Sequence, residues 1–365
     1  MKGIPSFFCV VLSAAAFLAS GRVSAGPLDE TAVVRRIAFG SCIDQDKRQP
    51  VWDAVVRFRP DLFIFAGDAY YPRNPDSMER RAADIAKLGA NPGFQKLRMA
   101  APILATWGDD DFGIEDPAAE PGKREAVRKI FLDFFEVAAE SPRRTRPGIW
   151  DAVILGPPGK RLQVILLDTR FNRTPLKKRS LLLRSDGPYA PSSDPAATYL
   201  GEEQWSFLGE QLRKPAELRL IVSDIQVALE EGNYEKWANF PLERERLFSL
   251  LRETRVSGVI VLSGERHLAE ISEMDAGLGY PLVEITASGL NQAAYNALIN
   301  DRNRHRVESS VRSNNFGTLI IDWERQEPRV TIELREEGGS APLLIRVPFS
   351  ALRKDSAAAA NPEKF

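Results

Sequence analysis

Two histidines and two cysteines in 365 residues make thiol and imidazole donors scarce, so their positions carry weight. Cys42 follows Phe39-Gly40-Ser41, and His267 closes the segment Ser263-Gly264-Glu265-Arg266-His267. Between them lie Gly67-Asp68-Ala69-Tyr70-Tyr71 and Trp107-Gly108-Asp109-Asp110-Asp111. Carboxylates gathered at one place repel, and burial disfavours their charged forms, so such a set needs protons or a cation. Oxygen donors suit hard cations such as calcium, whereas Cys, Tyr and His suit iron or zinc. The mixture points to a site for two unlike metals. Three consecutive Asp taken alone read equally as a solvated loop or a helix cap. The acids and donors of the neighbouring segments favour metal.

What must position these residues is a set of short apolar runs, each ending where a donor begins. They are Val33 to Gly40, Asp61 to Gly67, Pro102 to Trp107, Arg161 to Asp168, Arg219 to Ser223 and Val256 to Gly264. Runs of this kind read as strands buried on both faces. Helical stretches fall between them: Val51 to Phe58, Asp76 to Leu97, Arg124 to Val137, Glu202 to Leu212 and Leu242 to Thr254. The alternation predicts an α/β fold whose ligands collect at the carboxyl ends of the strands. Four further strands, Pro281 to Ala287, Phe316 to Trp323, Val330 to Leu334 and Pro342 to Val347, should join or pack on the same sheets. The Pro-rich stretch from Phe171 to Leu200 is long for a loop in a compact domain and reads as functional or mobile.

Composition narrows the classes. Charged residues make up 27% and hydrophobic residues 44%, a globular balance that excludes a disordered chain or a membrane bundle. A net charge of −1 gives no global reason to expect nucleic acid or an anionic membrane as partner. Met1-Lys2, the apolar run Ile4 to Leu18 and Val23-Ser24-Ala25 have the three parts of a cleavable export signal over residues 1–25. Export would remove Cys9 and leave Cys42 as the only thiol, so no intramolecular disulfide is expected. No later stretch is long and apolar enough to span a membrane. Residues 26–353 read as one domain and 354–365 as a disordered tail.

The donor segments, in order, resemble the alkaline phosphatase D (PhoD-like) metallophosphatases. The resemblance rests on Phe-Gly-Ser-Cys at 39–42, Gly-Asp-x-x-Tyr at 67–71, the acidic loop at 107–116 and Leu-Leu-Asp-Thr-Arg at 166–170. Leu-Gly-Glu-Glu-Gln-Trp at 200–205, Ser-Asp-Ile-Gln-Val at 223–227, the segment 262–271 and Ala-Ser-Gly-Leu at 287–290 complete it. It implies a four-layer αββα sandwich of the metallophosphatase type, with a dinuclear or multinuclear centre of iron and calcium. It also implies hydrolysis of phosphomonoesters or phosphodiesters. Carried over by position, Cys42 is the thiolate ligand, Asp68 the bridging carboxylate, Tyr71 the phenolate, Asp109 the acidic-loop ligand and His267 the imidazole ligand. Glu265 stands where the family has Asp and keeps a carboxylate one methylene further out. The family's acidic-loop His is Asp110 here, preceded by Gly108 in place of Asp. Its Gly-Leu-Thr-His becomes Gly289-Leu290-Asn291-Gln292, whose side-chain carbonyls could serve calcium.

The expected function is an exported metal-dependent phosphoric-ester hydrolase acting on a small-molecule phosphoester. A metal-activated hydroxide would attack phosphorus. Asp110 is the candidate proton donor, and Arg170, Arg173 and Arg266 are candidates to neutralise phosphate oxygens. The alternative is a relative that binds metal or phosphate without catalysis, suggested by the substituted imidazoles. A metal-free binding module would leave the strand-end acids unexplained. His305, in a polar stretch, reads as an ordinary surface residue.

Overall fold

A computed structural model describes residues 28–114, 121–180, 187–294 and 302–354. The chain builds two six-stranded sheets. In the first, β1 (Arg36–Gly40), β2 (Leu62–Ala66) and β3 (Ile103–Thr106) run parallel. The antiparallel ribbon β10 (Asn315–Asp322), β11 (Arg329–Glu336) and β12 (Leu343–Pro348) continues this sheet from β1. In the second, β5 (Leu162–Leu166), β6 (Leu218–Ser223), β7 (Val259–Ser263) and β9 (Leu282–Ala287) run parallel. Two antiparallel edge strands close it, β4 (Asp151–Leu155) and β8 (Ala269–Met274).

Side-chain alternation decides the layering. Along β2, Leu62, Ile64 and Ala66 enter an apolar cluster shared with Val164, Leu220, Val261 and Ile285 of the second sheet. Phe63 and Phe65 point the other way, as the period of two requires. They meet α1 (Val51–Phe58), α3 (Pro92–Ala100) and α5 (Pro121–Phe134). There the Trp52 ring lies 5.8 Å from Phe63 and 5.3 Å from Phe94, in the tilted arrangements aromatic pairs prefer. On the far side, α6 (Gly201–Leu212) and α7 (Pro241–Glu253) bury Trp205, Leu208, Leu247 and Phe248 against the second sheet. Helices outside and two sheets inside make the four-layer αββα sandwich that the motifs implied.

The ten expected strands form close to the expected bounds, and α1 matches its expected range. The structure adds β4 and β8. The helical stretch from Asp76 divides into α2 (Met78–Ala90) and α3, because the Asn91 carboxamide caps Gly93 and Phe94 while Pro92 opens the next helix. The Asp triplet is a one-turn helix, α4 (Asp109–Phe112), rather than a loop. Between Phe171 and Leu200 the described residues form no helix or strand beyond an isolated Lys178–Tyr189 bridge. The export signal and most of the disordered tail lie outside the described residues.

Candidate metal centre

The carboxyl ends of β1, β2, β3, β6, β7 and β9 converge on one rim. Cross-links between the sheets hold it: Ser41 N–H donates to Ala287 O at 3.0 Å, and Leu290 N–H to Ser41 O at 3.1 Å. Gly264 permits the closest approach, since a Cβ there would lie 2.3 Å from Ala66 O and 2.6 Å from Ser41 Oγ. Among the described residues, seven non-glycines have positive φ. Three of them, Arg59, Glu136 and Arg255, follow helix ends, where left-handed caps are common. The other four are Cys42, Asp68, Glu265 and His267. A left-handed backbone is uncommon for non-glycines, and such residues cluster at functional sites. Here it turns four donors inward just past their strands.

The donors form a chain of overlapping groups. Cys42, Asp68 and His267 each bring a donor atom within 4.8 Å of the other two, as do Asp68, Asp109 and Asp110, and also Asp109, Glu235 and Glu265. Asp68 links the first two groups and Asp109 the last two. Cys42 Sγ lies 3.6 Å from Asp68 Oδ2. The Tyr71 hydroxyl lies 3.4 Å from the same oxygen and 3.5 Å from His267 Nε2. Asp109 Oδ1 is buried with no hydrogen-bond partner, an expensive state for a carboxylate oxygen unless a cation meets it. Thiol, phenol and imidazole at one end fit iron or zinc, and the oxygen-only group at the other fits a harder ion. The residues present therefore fit a metal centre.

Electrostatics agree. Burial pushes the Cys42 thiol up to about 12. Burial, then the neighbouring Asp109, lifts Asp68 well above the carboxylate range. Burial, then Asp109 and Asp68, does the same to Glu265. Tyr71 is raised by burial and by Cys42. Asp110 is pushed up to about 7 by burial and Asp109, against the pull of His267 and Arg170. His267 is lowered by burial, against the acids Asp109 and Asp110. The protein alone holds most of these groups neutral, so binding a cation would release protons.

Asp111, one of the gathered acids, and Arg81, which the sequence did not single out, set the loops. The Asp111 carboxylate accepts from Gly108 N at 2.9 Å, Ala69 N at 3.2 Å and Tyr70 N at 3.2 Å, tying the β2 and β3 ends together. Arg81 of α2 is fully buried beneath them and donates to Asp111 O at 2.8 Å, Phe112 O at 3.2 Å and Tyr70 Oη at 3.2 Å. Gly108 leaves room for the Asp68 carboxylate, since a Cβ there would sit 2.2 Å from Asp68 Oδ1. Glu235, in the segment after β6, also escaped the sequence reading because no strand end points to it.

The remaining candidates divide. Arg170 is buried and pairs with Asp224 and Glu235, its Nη2 lying 3.9 Å from Glu265. It sits at the oxygen-rich end, but as a counter-ion to acids. Arg173 Nη1 lies 3.6 Å from Glu235, and Arg266 is buried between Glu265 and His267 in the chain. Asn291 is committed elsewhere: Oδ1 accepts from Asp44 N at 2.7 Å and Nδ2 donates to Asp44 O at 2.8 Å. Gln292 Oε1 accepts from Lys47. Both side-chain carbonyls therefore accept hydrogen bonds from the connection after β1. His305 is partly buried, with Nε2 3.5 Å from Glu230, rather than an ordinary surface residue.

A family description of PhoD-like phosphatase matches residues 122–337, more than half of the chain. The chain belongs to the PhoD-like phosphatase family. The matched segment carries Arg170, Glu235, Glu265 and His267, while Cys42, Asp68, Tyr71 and Asp109 lie ahead of it. Among solved structures, PhoD superposes with a TM-score of 0.71 at 16% identity, covering 88% of this chain and 71% of that one. A purple acid phosphatase, PPD1 from yellow lupin (Lupinus luteus) seeds, superposes with a TM-score of 0.57 at 13% identity, covering 88% and 55%. At these identities the likeness is one of fold, of the metallophosphatase type. No curated protein sequence matches the chain. Among the described residues no helix is long and apolar enough to cross a membrane.

Proposed function

We propose that this PhoD-like chain is an exported metal-dependent hydrolase of small-molecule phosphoric esters. The observation that carries the reading is the convergence of Cys42, Asp68, Tyr71 and His267 with Asp109 and Glu265 on one rim, where the buried Asp109 Oδ1 lacks a partner. Cys42, Tyr71 and His267 would hold the softer ion, for which iron suits the donors, and Asp109 and Glu265 the harder one, for which calcium does. Asp68, common to two donor groups, would be shared. Bound metals supply positive charge to phosphoryl oxygens and acidify a water.

The chain's own residues do the rest. Asp110, half-buried at the start of α4, has its N–H on Asp68 Oδ1 at 3.2 Å, so its carboxyl is held beside the shared acid. From there it would donate a proton to the leaving oxygen. Arg170 holds Asp224 and Glu235 in place behind the rim, and Arg266 is the arginine we assign to the phosphate. We treat residues 26–353 as one domain, since the largest apolar cluster draws on both sheets. The test is a screen of phosphomonoesters and phosphodiesters with metal-loaded protein and its Asp68→Asn variant. Hydrolysis by the parent and its loss in the variant are expected. Full activity in Asp68→Asn would sink the mechanism, and a parent that binds metal but turns over no ester would leave a non-catalytic relative.

A further inference from the structure

A phosphate entering this rim meets an excess of acids, so the cations that could receive it decide whether it binds. Arg170 is spent on Asp224 and Glu235, and Arg173 faces Glu235. Lys47 differs. Its ammonium donates to the neutral Oε1 of Gln292, and among the described residues no carboxylate lies within ion-pair distance of it.

Its position is fixed from both sides of the centre. Lys47 lies five residues beyond Cys42 on the connection after β1. Gln45 ties this connection to Tyr71: its Nε2 donates to Tyr71 O at 2.8 Å, and its Oε1 accepts from Tyr71 N at 2.9 Å. Asn291 staples the same connection through Asp44 N and Asp44 O and through Arg48 O at 3.3 Å. Gln292 belongs to a segment hung between two donor residues: Asn291 N–H donates to Cys42 O at 3.4 Å and Ala294 N–H to His267 O at 2.9 Å. The Lys47–Gln292 contact thus holds an exposed ammonium beside the Cys42–His267 end. In keeping with that placement, the Lys47 charge is among those opposing protonation of His267.

We infer that Lys47 is a substrate-binding residue, its ammonium leaving the neutral Gln292 to pair with a non-bridging oxygen of the bound phosphate. Exchange of an amide partner for an anionic one favours the bound state, because charge-assisted hydrogen bonds are about twice as strong as neutral ones. Lys suits the task as a compact charge on a flexible stem. The inference rests on the phosphoester reading for its role in turnover, but phosphate binding can be measured without turnover.

The experiment compares metal-loaded parent, Lys47→Met and Lys47→Arg in calorimetric titrations with inorganic phosphate. Metal content and KM for p-nitrophenyl phosphate are measured in parallel. Loss of one charge-assisted contact predicts phosphate affinity about 10- to 100-fold weaker in Lys47→Met. Unchanged metal content, a KM effect exceeding the kcat effect and substantial rescue by Lys47→Arg are also expected. Equal phosphate affinity in parent and Lys47→Met overturns the inference and leaves the hydrolase reading standing. A parent that binds phosphate through Lys47 yet hydrolyses no ester supports the inference and removes that reading. A metal-loaded parent that binds no phosphate overturns both.

Discussion

The two ends of the donor chain are built differently. At the Cys42 end, thiol and phenol flank one oxygen of Asp68 and the imidazole meets the phenol, with Cys42 and His267 on left-handed backbone that fixes their direction. At the Glu235 end, three carboxylates gather and a buried arginine already answers part of their charge. At the first end the nearby Lys47 pairs with a neutral amide, whereas at the second Arg170 pairs with the acids themselves. An incoming metal would therefore meet a rigid donor set with no arginine paired to it at one end, but compete with a tethered guanidinium at the other. The Cys42 end is therefore predicted to bind metal tightly and the Glu235 end weakly.

The largest expected effect comes from the residue both ends depend on. Asp68→Asn should cut phosphoester hydrolysis by at least about 100-fold, more than loss of an outer-shell partner costs. Activity within tenfold of the parent, measured under metal saturation, would break the comparison at its hinge. Next, Cys42→Ala or His267→Ala should abolish the tightly bound equivalent. Glu265→Gln should instead remove only an ion that dialysis strips from the parent. Elemental analysis before and after dialysis separates the two, and identical losses would mean the ends are not distinct.

A smaller effect tests the electrostatics. Because Cys42 is raised to about 12 and Tyr71 well above its usual range, both are protonated at neutral pH before metal binds. Metal must displace those protons, so affinity should rise with pH, and chelator competition should be harder at pH 8 than at pH 6. Flat affinity across that interval would mean the thiol and phenol do not ligate. Smallest in activity but visible in stability is Arg81→Met, which leaves the carbonyls of Asp111 and Phe112 without their buried donor. A loss of about 3 kcal/mol in denaturant unfolding is expected. Weaker metal retention should accompany it, since the turn carrying Asp109 loosens. Unchanged stability would remove Arg81 from the support of the site.

Much of this was legible in the sequence, for a physical reason. Strands buried on both faces are written as continuous apolar runs, and the donors at their ends stand out as soon as the apolar residues stop. β4 and β8 were missed because they are edge strands. β4 is only partly buried, and β8 interleaves apolar residues with the buried polar Glu270 and Ser272. Asp111 stood in view among the acids, but its service to three backbone N–H groups depends on the one-turn helix α4. Glu235 had no local signal at all, because only tertiary packing brings the segment after β6 against Arg170 and Asp109. The bonds of Asn291 to Asp44 and of Gln292 to Lys47 had no local signal either, because only the fold brings the segment after β9 against the connection after β1.

The most direct test of the central claim is elemental mass spectrometry on the protein purified without chelators or an affinity-column metal. The account predicts one equivalent that survives dialysis and a second that is lost unless calcium is supplied. A protein carrying no stoichiometric metal, even after refolding with iron and calcium, would contradict it.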